Sequence, residues 1–327
     1  MTRSQPARCL AAVLALGALL LSPPEATAKA TVEETSIATS GGQASAAIET
    51  LEFVDAADAF DQVLARTAPP ALLWQQATFG KALAMQHITP PSESYIDQAV
   101  GLYKQLLEKT PDSKFAPLAT LSLGRIAEVR DFPGDASDLD AARTHYQRVL
   151  DQWPDTNFAH EAAIRIAGLS LQQIDDPQAM RAGVAYLQAY LAQHPDNRYA
   201  SIMYEQIGQT YDLAFDEYGP ATEAYMKALR IGLLNQAELP QVLWRVAQLA
   251  ERAGRPADAA YCYQQILTGA LRSGRSFEAR LALKRLAARH PELHIEVPDM
   301  PRLEPATPQE EFEQRTAEQA PPEKPTP

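Results

Sequence analysis

His290 and His294 stand four residues apart, the spacing that puts two imidazoles on one face of a helix where they can hold a metal ion. Pro291 falls between them and ends a helix at that point. With no third ligand close by, solvated loop histidines are the expected reading. Cys262, flanked by Tyr261 and Tyr263 on an apolar stretch, reads as a packing residue rather than a reactive thiol. The acidic pairs Asp175-Asp176 and Glu310-Glu311 fall in a loop and in the C-terminal tail, where solvated charge is the default. No G-x-S-x-G, H-E-x-x-H, Gly-rich phosphate loop or Cys-x-x-Cys occurs. The residues that could do chemistry thus assemble into no catalytic set. The expectation is a non-enzymatic chain with no cofactor and no metal.

The elements that position these residues are helical. From about residue 45 to 294, apolar residues recur at three- and four-residue steps, and no run of alternating β-branched residues competes. The ends differ. Arg3 and Arg8 precede the apolar run Leu10 to Leu21, and Ala26-Thr27-Ala28 supplies a small-x-small cleavage site, so residues 1–28 read as a secretory signal peptide. As a helix that run rises about 18 Å, short of the roughly 30 Å hydrocarbon core. Cys9 lies before the run rather than after it, which argues against a lipid anchor, and a periplasmic or secreted product is expected. Residues 29–44 are polar and read as a flexible leader. Residues 295–327, rich in Pro and Glu, read as a disordered acidic tail. A net charge of −12 argues against nucleic acid or an anionic membrane surface as the main partner.

The helical body repeats. Pro111-Asp112-Ser113-Lys114-Phe115-Ala116 returns as Pro154-Asp155-Thr156-Asn157-Phe158-Ala159 and again as Pro195-Asp196-Asn197-Arg198-Tyr199-Ala200, with starts 43 and then 41 residues apart. In each copy the proline closes one helix, Ser, Thr or Asn is expected to N-cap the next, and the aromatic packs its entry. A first helix in each repeat carries a small residue: Gly80, Gly124, Gly168, Gly208 and Ala247. The second carries a small residue four before a large one, on one face: Ala99 and Tyr103, Ala142 and Tyr146, Gly183 and Leu187, Ala221 and Tyr225, Ala259 and Tyr263. Leu51–Leu64 repeats that spacing with Ala56 and Phe60 and reads as a front cap. Residues 276–290 read as a back cap, with Phe277, Leu281, Leu283 and Leu286 turned inward.

The glycine, the A-x-x-x-F spacing and the closing proline resemble the tetratricopeptide repeat over about residues 70–271. A first helix lengthened by a turn, opening with Pro-Asp-Ser and an aromatic-Ala pair, resembles the bacterial envelope branch of that family, the group of the Tol–Pal cell-division coordinator and the Bam-complex repeat lipoprotein. The resemblance implies an all-α, right-handed superhelical solenoid of antiparallel helix pairs. In that setting His194-Pro195-Asp196, the tripeptide of J-domain co-chaperones, is a repeat-closing turn.

The resemblance also implies that first helices line a concave groove, with the positions three before and one after the small residue pointing into it. That places Lys81, Leu121, Arg125, Arg165, Glu205, Gln209, Trp244 and Gln248 there. Lys81, Arg125 and Arg165 either form a cationic patch that holds a carboxylate or acidic peptide, or are scattered surface charge. Trp244 either anchors an apolar side chain or packs between helices. The implied function is a scaffold that binds a protein or peptide partner of the cell envelope. An accessory part of a cell-wall enzyme and a structural oligomer are the alternatives.

Overall fold

The computed structural model describes residues 52–233, 238–269 and 273–299. The signal peptide, the leader, Cys9 and the tail beyond Asp299 lie outside the described residues. Among those described there are twelve α-helices and no strand: α1 (Phe53–Leu64), α2 (Leu72–His87), α3 (Glu93–Lys109), α4 (Ala116–Glu128), α5 (Leu139–Gln152), α6 (Asn157–Leu171), α7 (Pro177–Gln193), α8 (Ala200–Ala214), α9 (Tyr218–Ile231), α10 (Leu239–Arg252), α11 (Pro256–Gly269) and α12 (Ser276–Arg289). A 3₁₀ turn, η1 (Pro291–Leu293), follows. The chain divides into two compact units, Met1–Phe215 and Asp216–Pro327. The first holds α1 to α8 and the second α9 to α12.

Within each unit every helix packs on its neighbours in sequence, and in the first unit α4 also touches α6. Short connections between packed neighbours make them antiparallel pairs, as in a helical solenoid. The repeated proline sets where helices stop. Helices α3, α5 and α7 end two residues before Pro111, Pro154 and Pro195, on C-caps Thr110, Trp153 and His194 that share φ near −135° and ψ near 60°. His290, ahead of Pro291, closes α12 in the same conformation. The expected N-caps hold only in part. Thr156 does cap α6, accepting from the Ala159 amide. Ser113 and Asn197 instead sit three residues before the first residue of α4 and α8. Their side chains accept from the amides of Phe115 and Tyr199, forming local turns ahead of those helices.

The small–large pairs of the second helices are all buried, and Tyr103, Tyr146, Tyr263 and Leu187 are among the largest side chains with almost no solvent contact. On the first helices the small residue matters unequally. A Cβ on Gly124 would lie 2.4 Å from Cε1 of Tyr146, and one on Gly80 would lie 2.3 Å from Cζ of Phe60 on α1. Gly168 is a correction: its nearest neighbour would be Nε2 of Gln172, the C-cap of its own helix, 3.8 Å away. Close approach in that repeat comes from Gly183 on α7, where a Cβ would meet Leu171 at 2.8 Å.

Helix α1 buries Ala56, Ala57, Phe60 and Val63. Helix α12 is a second correction. It buries Ser276, Ala279, Ala282, Leu283 and Leu286, whereas Phe277 is 67% and Leu281 46% exposed. Residues 279, 282, 283 and 286 form an i, i+3, i+4, i+7 stripe rich in alanine, and these small side chains let α12 pack on α11 without the bulkier pair.

Candidate interaction face

The groove residues expected from the sequence are best defined in the first unit. Arg125 on α4 donates to Glu161 on α6, and Arg165, one turn after Glu161, lies 3.7 Å from it. Arg165 also lies 3.6 Å from Glu128, back on α4. Tyr146 on α5 donates its hydroxyl to Glu128 at 2.6 Å. Two arginines and two carboxylates thus form a ladder between adjacent first helices, closed at one end by a core tyrosine. Glu128 is nearly buried, at 7% side-chain exposure, while Arg165 is the most open member at 34%.

Electrostatics fix the protonation states. Burial opposes charge on Arg125, but Glu161 and its hydrogen bond outweigh it and hold the guanidinium above its ordinary value. Burial, then the Glu128 carboxylate, pushes the Tyr146 hydroxyl well up, so it remains a donor. Burial chiefly, and the nearby Arg125, lowers His87, which is held neutral at the end of α2. Arg125 Nε is buried with no acceptor among the described residues.

Lys81 does not add to an uncompensated cationic patch; it donates to Asp61 on α1 at 2.6 Å. Leu121, expected in the groove, is wholly buried. On α8, Glu205 accepts from Ser201 at 3.3 Å, and Gln209 is exposed. In the second unit Trp244 packs against Tyr263, ring centroids 5.5 Å apart, and the Arg275 guanidinium sits 5.3 Å over its ring. Gln248 is exposed.

The carboxylate partners were missed in the sequence, although their signals were present. Glu161 and Arg165 are an i, i+4 pair. Glu128 follows Gly124 by four, and Glu251 follows Ala247 by four. Glu251 repeats the arrangement inside the second unit, accepting from Tyr263 at 2.8 Å and pairing with Arg289.

Other candidate chemistry resolves structurally. His194 caps α7 with its ring 4.4 Å from Tyr190, whose hydroxyl is bonded to His160 Nδ1 at 2.8 Å. Burial, then Tyr186, pushes Tyr190 up to about 12, so the phenol donates and His160 accepts. His290 and His294 both bond to Glu292, and among the described residues no group of three or more His, Cys, Asp or Glu is arranged to hold a metal. Cys262 is buried 3.7 Å from the Met226 sulfur, and burial, then Asp258, pushes its thiol up to about 12. No described helix is long and apolar enough to cross a membrane.

Antiparallel helix pairs, small-to-large contacts within them and polar side chains strung along the first helices define a protein of the helical-repeat class, built for interaction. A family model for the tetratricopeptide repeat-like domain matches residues 55–251, and the chain belongs to that family. The match takes in nearly all of α1, the expected front cap, and stops within α10. No curated protein matches the chain.

Proposed function

We propose that the chain is an exported, non-catalytic scaffold of the bacterial cell envelope that takes an acidic peptide segment of a protein partner on the first-helix face around α4 and α6. The Arg165 guanidinium carries this reading. Its carboxylates stand at 3.6 and 3.7 Å, beyond hydrogen-bond length, so it is only loosely held and a third of it faces solvent. A partner carboxylate can take up those donors in a forked contact without first breaking a tight bond. Arg125, locked to Glu161, keeps the α4 side of the face in place. Export is supported by the apolar run and cleavage site of residues 1–28, and the envelope setting by repeats whose Pro-Asp openings stand 43 and 41 residues apart, longer than the roughly 34 of the standard repeat.

Crosslinking in the intact envelope, followed by mass spectrometry, tests the proposal. A partner should be captured through its acidic segment, and Arg165→Gln should lose it while the unfolding transition stays in place. Capture that is unchanged in Arg165→Gln overturns the site. Fractionation of the chain to the cytoplasm overturns the setting, and measurable muropeptide release by the purified protein overturns the non-catalytic reading.

A further inference from the structure

A tyrosine–glutamate–arginine set recurs in both units, and its two copies differ in which carboxylate oxygen the tyrosine holds. In the second unit Tyr263 donates to Oε1 of Glu251 at 2.8 Å, and Arg289 closes on the other oxygen, Oε2. In the first unit Tyr146 donates to Oε2 of Glu128 at 2.6 Å. That is the same oxygen that faces Arg165, and there Nη1 of the guanidinium stands off at 3.6 Å. The other side of Arg165 is arranged alike. Its Nη2 faces Oε1 of Glu161 at 3.7 Å, the oxygen that already accepts from Arg125. Each carboxylate oxygen facing Arg165 is thus pinned by a shorter bond to another donor.

Packing fixes where the Tyr146 hydroxyl can sit. The side chain has no solvent contact, and its ring fills the space over Gly124, where a Cβ would lie 2.4 Å from Cε1. A ring held that closely cannot follow its acceptor, so the acceptor comes to it. Glu128 ends α4 and is nearly buried, and a buried carboxylate without donors is strongly unfavourable. Tyr146 supplies that donor. Without it, Glu128 turns to the guanidinium that already stands 3.6 Å away. Packing alone does not ask for a hydroxyl at this place in the repeat, since Phe60 and Leu187 fill it in other copies.

We propose that Tyr146 is a positioning residue of the interaction face, holding the Glu128 carboxylate off Arg165 and so keeping that guanidinium open to a partner carboxylate. Its purpose rests on Arg165 as the partner contact proposed above, whereas the coupling of Tyr146 to Arg165 does not, and the two can be tested apart. One side chain of α5 then does two things. Its ring packs against α4, and its hydroxyl sets the state of an arginine on α6.

Phenylglyoxal, which modifies accessible guanidinium groups, reads the coupling in the full chain without any partner. The rate at Arg165 is followed by peptide mass spectrometry, with the exposed Arg148 of α5 as reference. It should fall several-fold in Tyr146→Phe as Glu128 closes on the arginine. Adding Glu128→Gln should restore it, because the amide carries no charge to hold the guanidinium. A merely structural loss would leave the rate at Arg165 unchanged or raise it, and either result overturns the proposal. So does a slowed rate that Glu128→Gln fails to restore. Glu128→Gln alone keeps the test open if Tyr146→Phe does not fold. Its rate at Arg165 should match that of the unaltered chain, and a several-fold rise overturns the proposal by showing that Glu128 already holds the arginine. Partner crosslinking then separates the two claims. Reduced capture in Tyr146→Phe, regained with Glu128→Gln, supports both. Unchanged capture beside a slowed Arg165 keeps the coupling but overturns Arg165 as the partner contact, and with it the purpose assigned to Tyr146.

Discussion

Gly124 and Gly168 hold the same place in neighbouring repeats but have different surroundings, so alanine should affect them in opposite directions. At Gly124 the new methyl would enter the ring of Tyr146, 2.4 Å away, and that ring is anchored to Glu128 by its hydroxyl. Overpacking of this kind costs about 1–3 kcal/mol. At Gly168 the nearest atom is 3.8 Å off, so Gly168→Ala should be neutral or stabilise by about 0.5–1 kcal/mol through helix propensity. Urea unfolding of the two variants makes the comparison, and equal effects would show that the packing does not decide. Acid gives a second residue-level test. Burial, aided by Arg125 at His87 and by Arg148 and Lys104 at His145, holds both imidazoles below the ordinary 6.5. Burial, then His194, does the same at His160. From about one pH unit above the ordinary value upward these groups are neutral in both the folded and unfolded states and contribute no pH dependence. As pH falls through the ordinary value the unfolded chain takes up protons that the native state refuses, so their presence lowers stability progressively until the folded pKa is passed. The melting temperature should fall between pH 7 and 5, and His87→Gln should lessen the fall. An unchanged slope in that variant would remove His87 from the account.

Helices α3, α5 and α7 were legible because three prolines mark their ends and a small–large pair marks the buried face of each. Helix α12 was legible as an element but not as a face. Its apolar residues lie on two sides, and only the packing against α11 selects the stripe of Ala279, Ala282, Leu283 and Leu286. The candidate site was half legible. Its arginines stood out as cations in an acidic chain, whereas the Glu128 contact depends on how α4 sits beside α6 and on a tyrosine reaching across from α5. The segment after His294 shows the same limit. Composition marks it as tail, yet Gln264 and Arg280 hold it against α11 and α12 through Asp299. Ending the chain after His294 should therefore lower the melting temperature by a few degrees, the effect of about 1 kcal/mol in a unit of this size. A melting temperature equal to that of the full chain would show that residues 295–299 contribute nothing.

At the scale of the whole molecule, the described structure begins at Glu52 and α1 at Phe53, well after the Ala26-Thr27-Ala28 site. Removal of residues 1–28 therefore takes nothing from α1, whose Phe60 fills the space over Gly80. The proposed function takes the run Leu10 to Leu21, twelve residues long, as part of a removed leader. On that proposal Cys9, which precedes the run, leaves with the removed segment. The proposed scaffold then works as a free body whose partner must come to it. The expected outcome is an exported protein that starts near Lys29 and carries no added mass. Intact-mass measurement of the chain recovered from the envelope fraction decides this. A mass that retains residues 1–28 would make the run an anchor. A diacylglycerol increment would tie the chain to a membrane and place the α4–α6 face at a lipid surface, where an acidic partner segment would have to compete with lipid headgroups for Arg165.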